Sequence, residues 1–314
     1  MSRGKVKMLS TEQELTPEKC FIEFINQCKA RNLSSATIRN YTQQWTYFVK
    51  WWGGDSVASI DKDTIMQYIR YFQERGIRTE TINTGLRTLR VLLNYLHEEN
   101  YIQPVKIKLL KSDLPVKETY TDQELSVMLK KPNIKKRSFR EFRTWCLINF
   151  LVGTGVRARS LVNIKIGDLD LENSLVKVTV VKNRKQQILP LPPSLVTVLN
   201  QYLKHRGGEQ SDYLFCNEKN NKMRESSVYH DVQFFNEARG ITQNGLHKFR
   251  HSFARSFILS GGDPFRLQRL LGHSTLDMTK RYVQLYDRDM LEGIEKFNLL
   301  EKITNNAQKV KMNR

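Results

Sequence analysis

Residues 270–283 read LLGHSTLDMTKRYV. A helix predicted over 263–271 runs into Gly272 and His273. Ser274 and Asp277 have the spacing of a capping box, so a new short helix is expected to begin just after His273 and to carry Tyr282. The stretch therefore sets a histidine in a tight connection between two helices and a tyrosine nine residues further on.

Working backwards, residues 246–254 read LHKFRHSFA. His247 and Arg250 stand at i, i+3 on one helix face, while Phe249, Phe253 and Phe257 point to a core. Residues 153–161, GTGVRARSL, place Arg157 after a glycine-rich turn. Between these lie two β-branched or alternating runs, 174–181 and 186–191. They are joined by the polar turn KNRK, so they read as a β-hairpin with Lys182 in its turn. Helices are expected at 121–130, 138–153, 157–163, 193–205, 226–238, 246–260, 263–271 and 274–284. A further amphipathic stretch at 287–300 carries Met290, Leu291, Ile294 and Phe297.

The first third has a different texture. Thr16-Pro17 offers a helix cap followed by proline at the first helical position. Ser35 is read as the cap of a second helix whose stripe is Ile38, Tyr41, Trp45, Phe48 and Trp52. A third helix is predicted from Thr64 to Arg75 and a fourth from Thr79 to Leu96. These make a four-helix domain over 16–102, after a loose arm at 1–15. The 103–120 segment has prolines, lysines and no periodicity, so it reads as a basic linker to a second domain at 121–286, followed by the 287–314 helix and tail. Opposite the apolar stripes, Arg39, Gln43, Thr46 and Lys50 form a row on the second helix. Asn83, Arg87, Arg90 and Asn94 form one on the fourth. Such rows suit DNA phosphates and base edges. An ordinary solvated face is the plainer alternative.

The composition narrows the function. The 314 residues carry 51 Lys+Arg against 32 Asp+Glu, a net +19. Residues 1–105 hold 14 basic and 11 acidic side chains, leaving 37 and 21 for 106–314. A chain this basic calls for a polyanion, nucleic acid first and anionic membrane second. No apolar run approaches the roughly 18 residues of a membrane span. The four scattered cysteines form no CxxC pair and suit a reducing compartment, so a cytoplasmic location is expected. His247 and His251 have zinc-pair spacing. The glutamate of HExxH is missing and no cysteine or acid lies near in sequence, so neither a metal nor another cofactor is expected. Two arginines, two histidines, a lysine and a tyrosine in a basic domain describe a site for a phosphodiester. Guanidiniums can clamp the charge that builds on its oxygens without a metal.

These four stretches, in this order and at these intervals, resemble the tyrosine recombinases: phage integrases, Xer-type recombinases, transposon integrases and Cre-like enzymes. The resemblance spans about 14–300 and implies a mainly α fold, an N-terminal four-helix core-binding domain followed by an α+β catalytic domain with a small antiparallel sheet. It implies Tyr282 as nucleophile and Arg157 and Arg250 on the scissile phosphate. His247 and His273 would hydrogen-bond that phosphate or assist proton transfer, and Lys182 would be the general acid for the leaving 5′-oxygen. A 3′-phosphotyrosine conserves the linkage for a second attack, so strand exchange needs no ATP. The implied partner is double-stranded DNA with inverted-repeat core sites, bound by a homotetramer in which the 287–300 helix docks on a neighbour; a helix packed on its own domain is the plainer alternative. The role would be integration, excision, resolution or inversion of DNA in a bacterial or archaeal cell, for the cell itself or for a phage, plasmid or transposon. A type IB topoisomerase or a non-catalytic DNA-binding protein is the alternative. One departure concerns Ser160, where the family usually has an acidic residue; it leaves open how Arg157 is buttressed.

Overall fold

The computed structural model describes residues 15–112, 118–133, 138–180 and 185–273, and, beyond these, Thr275, Thr279 and Tyr282. The chain falls into two compact units, Met1–Leu114 and Pro115–Arg314. Lys182 and the 287–314 stretch lie outside the described residues.

Among its described residues the first unit holds four α-helices: α1 (Pro17–Ala30), α2 (Ser35–Trp52), α3 (Lys62–Glu74) and α4 (Thr79–Glu98). The Thr16 hydroxyl caps α1, with Pro17 in its first turn. The cap of α2 is Ser34, one residue before the expected Ser35, its hydroxyl accepting from the Thr37 amide. Gly53 ends α2 in the left-handed region, at φ 70°. Helix α3 starts earlier than expected because the Asp61 carboxylate and the Thr64 hydroxyl close a capping box. Phe24, Trp45, Phe48, Tyr68 and the leucines of α4 form the core.

Part of the expected linker is a strap on this unit. Ile107 is buried, and Val105, Leu109 and Leu110 pack beside it. Asn83 fastens the strap with both ends of its amide: Nδ2 donates to the Leu110 carbonyl and Oδ1 accepts from its N–H, each at 2.9 Å. Arg90 donates to the Ile107 carbonyl at 2.7 Å.

The second unit holds α5 (Asp122–Leu129), α6 (Phe139–Thr154), α7 (Ala158–Leu161), β1 (Leu169–Asp170), β2 (Leu175–Val180), β3 (Lys185–Pro190), α8 (Pro193–Arg206), α9 (Glu225–Glu237), α10 (Leu246–Leu259) and α11 (Pro264–Leu271). The strands form one antiparallel sheet in the order β1-β2-β3. The predicted hairpin is β2–β3, with Val176 opposite Leu189 and Val178 opposite Gln187. The two-residue β1 was not foreseen.

The central α6 packs against α8, α9 and α10. Its Phe142, Leu147, Ile148, Phe150 and Leu151 lie in the main core with Tyr202 and Phe249. Two ion pairs tie α6 to α9, one of them, Arg143–Asp231, buried on both sides. Asp231 accepts from Arg143 Nη2 at 2.5 Å and from Arg140 Nε at 2.6 Å. Among the described residues no helix is long and apolar enough to cross a membrane.

Candidate active site

Two helix ends build the site. Helix α6 stops at Gly155 and α11 at Gly272, both left-handed, at φ 61° and 60°. At Gly155 a Cβ would lie 2.5 Å from the Phe253 ring, so glycine is required both for the turn and for the close approach of α10. Carbonyls near a helix C-terminus lack intrahelical partners and carry partial negative charge. Arg250, on α10, takes up two of them. Its Nη1 donates to the Gly155 carbonyl at 3.0 Å and its Nη2 to the Leu271 carbonyl at 2.7 Å. Arg157, just before α7, reaches the same Leu271 carbonyl with Nη1 at 3.4 Å. Carbonyls orient these guanidiniums without cancelling their charge. The Leu271 carbonyl thus helps to buttress Arg157, three residues before the buried Ser160.

The phenol of Tyr282 enters this cationic corner and is 5% exposed. Its Oη meets His251 Nδ1 at 2.9 Å. The His273 ring lies parallel to the Tyr282 ring, centroids 6.2 Å apart, and its Nδ1 is 2.9 Å from the Thr279 hydroxyl. Thr279 and Tyr282 are helical, as the sequence reading of 274–284 expects.

Burial raises the Tyr282 phenol above its ordinary value of 10.0, while Arg250, by charge and hydrogen bond, and then Arg157 pull it down. Burial first, then the like charge of Arg157, lowers Arg250 from 12.5 to about 10. Arg157 is lowered too, mainly by burial. His273 drops from 6.5 to about 3, from burial and then the charges of Arg250 and Arg157, so it is neutral at pH 7. Two cations held together in a partly dry site repel one another, and an entering anion relieves that repulsion.

The structure therefore brings Arg157, Arg250, His273 and Tyr282 together. His247 stands exposed on α10, in a cleft of about 570 Å³ also lined by Ala158, Lys248 and His251. The β2–β3 hairpin is sewn to the same place, because the Gln187 amide on β3 donates to the Leu270 carbonyl at 2.9 Å and to that of Arg269. Sequence reasoning missed Gln187 and took His251 only as half of a zinc pair. The HxxRH run already placed His251 beside Arg250, and that was the available signal. Among the described residues no group of three or more His, Cys, Asp or Glu is placed to hold a metal.

Of the DNA-reading candidates, Arg39, Gln43, Lys50 and Arg87 are exposed on α2 and α4. Asn83 is corrected: it is 3% exposed and its amide is committed to the strap. Arg90 is half-buried and gives one of its donors to the Ile107 carbonyl. The strap bonds two of the four residues in the α4 row and buries one of them, Asn83.

The sequence profile of the phage integrase family matches residues 119–289, and that of the phage integrase N-terminal SAM-like domain matches 21–100. The chain is 26% identical to the tyrosine recombinase XerA of Thermococcus kodakarensis over 291 residues, covering 91% of this chain and 98% of that protein. It is 24% identical to the tyrosine recombinase XerD of Haemophilus influenzae, covering 85% and 93%. Among solved structures, the XerH site-specific recombinase bound to palindromic difH substrate superposes with a TM-score of 0.71 at 22% identity, over 91% of each chain. The Tn1549 transposon integrase in complex with transposon right end DNA gives 0.69 at 19%, over 85% of this chain and 94% of that one.

Proposed function

The chain belongs to the phage integrase family, the tyrosine-type site-specific DNA recombinases, and from that premise we propose that Tyr282 is the nucleophile that cleaves and rejoins its DNA strands. The observation that carries this is the burial of the Tyr282 phenol within reach of Arg250 and Arg157. The two guanidiniums hold the non-bridging oxygens of the scissile phosphate and stabilise the charge that grows on them during attack. The phenol oxygen bonds to phosphorus and the 5′-oxygen leaves. Lys182 protonates it, from a hairpin that Gln187 ties to the end of α11. His273, neutral at working pH, and His247 complete the phosphate's hydrogen bonds. Attack by a 5′-hydroxyl on the phosphotyrosine then seals a new strand, with no change in the number of ester bonds.

The DNA partner fits the net charge of +16 on residues 106–314, from 37 basic and 21 acidic side chains. The helical unit meets the duplex through Arg39, Gln43, Lys50 and Arg87. Recombination takes place in the cytoplasm on inverted-repeat core sites, in a tetramer linked by 287–300. Removing 287–314 is then expected to leave single-site binding intact and to weaken synapsis.

A duplex nicked close to its cleavage site tests the central reading. The protein should form a covalent complex with the 3′ end that survives denaturant, and Tyr282→Phe should form none while still binding the duplex. Covalent capture by the Tyr282→Phe variant would overturn the assignment. Relaxation of supercoiled DNA of any sequence, without partner sites, would instead favour a topoisomerase.

A further inference from the structure

We propose that His251 is a further catalytic residue, the base that takes the Tyr282 proton through Nδ1 during strand cleavage and returns it during resealing. This rests on the reading of Tyr282 as nucleophile. Helix α10 carries His247, Arg250 and His251 at i, i+3 and i+4, so the three side chains leave the helix on one side. They divide the work by position. Arg250 turns inward to the carbonyls of Gly155 and Leu271. His247 stands exposed at the cleft. His251 sets Nδ1 at 2.9 Å from the phenol oxygen, with the two ring centroids 5.6 Å apart. That separation is within the reach a general base needs before the reaction starts.

His273 is placed for something else. It lies flat against the phenol ring and its Nδ1 is engaged with Thr279. Its ring fixes the tyrosine's orientation, whereas the His251 nitrogen addresses the atom that reacts. The arrangement requires the His251 tautomer with hydrogen on Nε2, which leaves the Nδ1 lone pair towards the phenol.

In the forward step the phenol O–H bond breaks and its proton moves to His251 Nδ1. The oxygen–phosphorus bond forms, the bond from phosphorus to the 5′-oxygen breaks, and that oxygen takes a proton from Lys182. In resealing, the incoming 5′-hydroxyl gives its proton to Lys182 and its oxygen bonds to phosphorus. The phenolate departs and recovers its proton from His251. No oxidant, metal or second reactant enters.

The test is single-turnover cleavage of the nicked duplex by His251→Asn and His251→Gln, so that either variant serves should the other fold poorly. Each is prepared with tyrosine and with a fluorinated tyrosine at position 282, whose phenol ionises more readily. The expected result is DNA binding like the parent's, covalent-complex formation slowed about 10²-fold, and most of that loss recovered by the fluorinated phenol. A bridging sulfur in place of the 5′-oxygen, which departs without a proton, should rescue a Lys182→Ala variant and leave the His251 variants slow. Cleavage at the parent rate would overturn the proposal. So would a slow rate that the fluorinated phenol does not improve, or one that the bridging sulfur restores. If Tyr282→Phe also forms a covalent complex, it is the nucleophile assignment that fails.

Discussion

Arg39 and Arg87 stand on exposed helix faces of the first unit, whereas Arg143 and Arg250 of the second are almost wholly buried and Arg157 is half-buried. The difference lies in what holds each side chain. An exposed arginine keeps its water and its rotamer freedom, so it must be immobilised by the ligand it meets, and salt screens its charge. Arg250 is immobilised in advance by two carbonyls, and Arg143 by the Cys216 carbonyl and Asp231. The exposed residues suit recognition of many groups along a polyanion. The pre-set ones suit one defined charge, or none beyond the protein's own.

Breaking a buried pair should have the largest effect. Asp231→Ala leaves Arg143 charged with no carboxylate, and should cost about 3–5 kcal/mol in urea denaturation. A loss no larger than that of a surface ion pair would place Arg143 with the exposed group. Arg250→Lys keeps the charge but loses the fork that spans the Gly155 and Leu271 carbonyls. Strand cleavage should fall about 10²–10³-fold at saturating DNA, with binding changed far less.

Smaller effects are expected in the first unit. Arg39→Ala or Arg87→Ala should weaken binding by about 1–3 kcal/mol at a specific site if the contact is to a base edge. A uniform loss on all sequences, with a shallower salt dependence, would assign it to phosphate. Asn83→Ala should lower stability by about 1–3 kcal/mol, because both polar groups of Leu110 lose their partner. It should not alter sequence preference in a binding assay, which separates a strap residue from a reading one.

A last prediction concerns pH. The folded His273 imidazole is held at about 3, and an unfolded one titrates near 6.5. Between those values the unfolded chain binds one proton more at this position. Stability contributed by His273 is therefore whole above about pH 6.5 and falls as pH drops towards 3. In NMR titration of the free protein the His273 ring should stay neutral through pH 5. A midpoint near 6.5 would mean that the site is wet and the guanidiniums distant.

The elements were mostly legible because their signals are local: Thr16-Pro17, Gly53, the apolar stripes of α2 and α4, and the alternating hairpin. The order of the four motif stretches was legible too. The missing pieces are contacts between distant residues. Asn83 and Leu110 are 27 positions apart, Arg143 and Asp231 88, Gln187 and Leu270 83. No periodicity within a helix shows which polar residues a strap will cover. The row Asn83, Arg87, Arg90, Asn94 has helical spacing whether it faces water or the 105–110 segment. His251 was hidden for a related reason, since its partner lies 31 residues away.

The Leu271 carbonyl is one atom with two tenants, Arg250 and Arg157, and its neighbour on the chain receives Gln187. The two cations and the hairpin are therefore not separately adjustable. Any change that unwinds the final turn of α11 would misplace all three together, so this turn works as a keystone: variation has to go round it, and a small molecule that pried it open would silence the enzyme without ever touching the tyrosine.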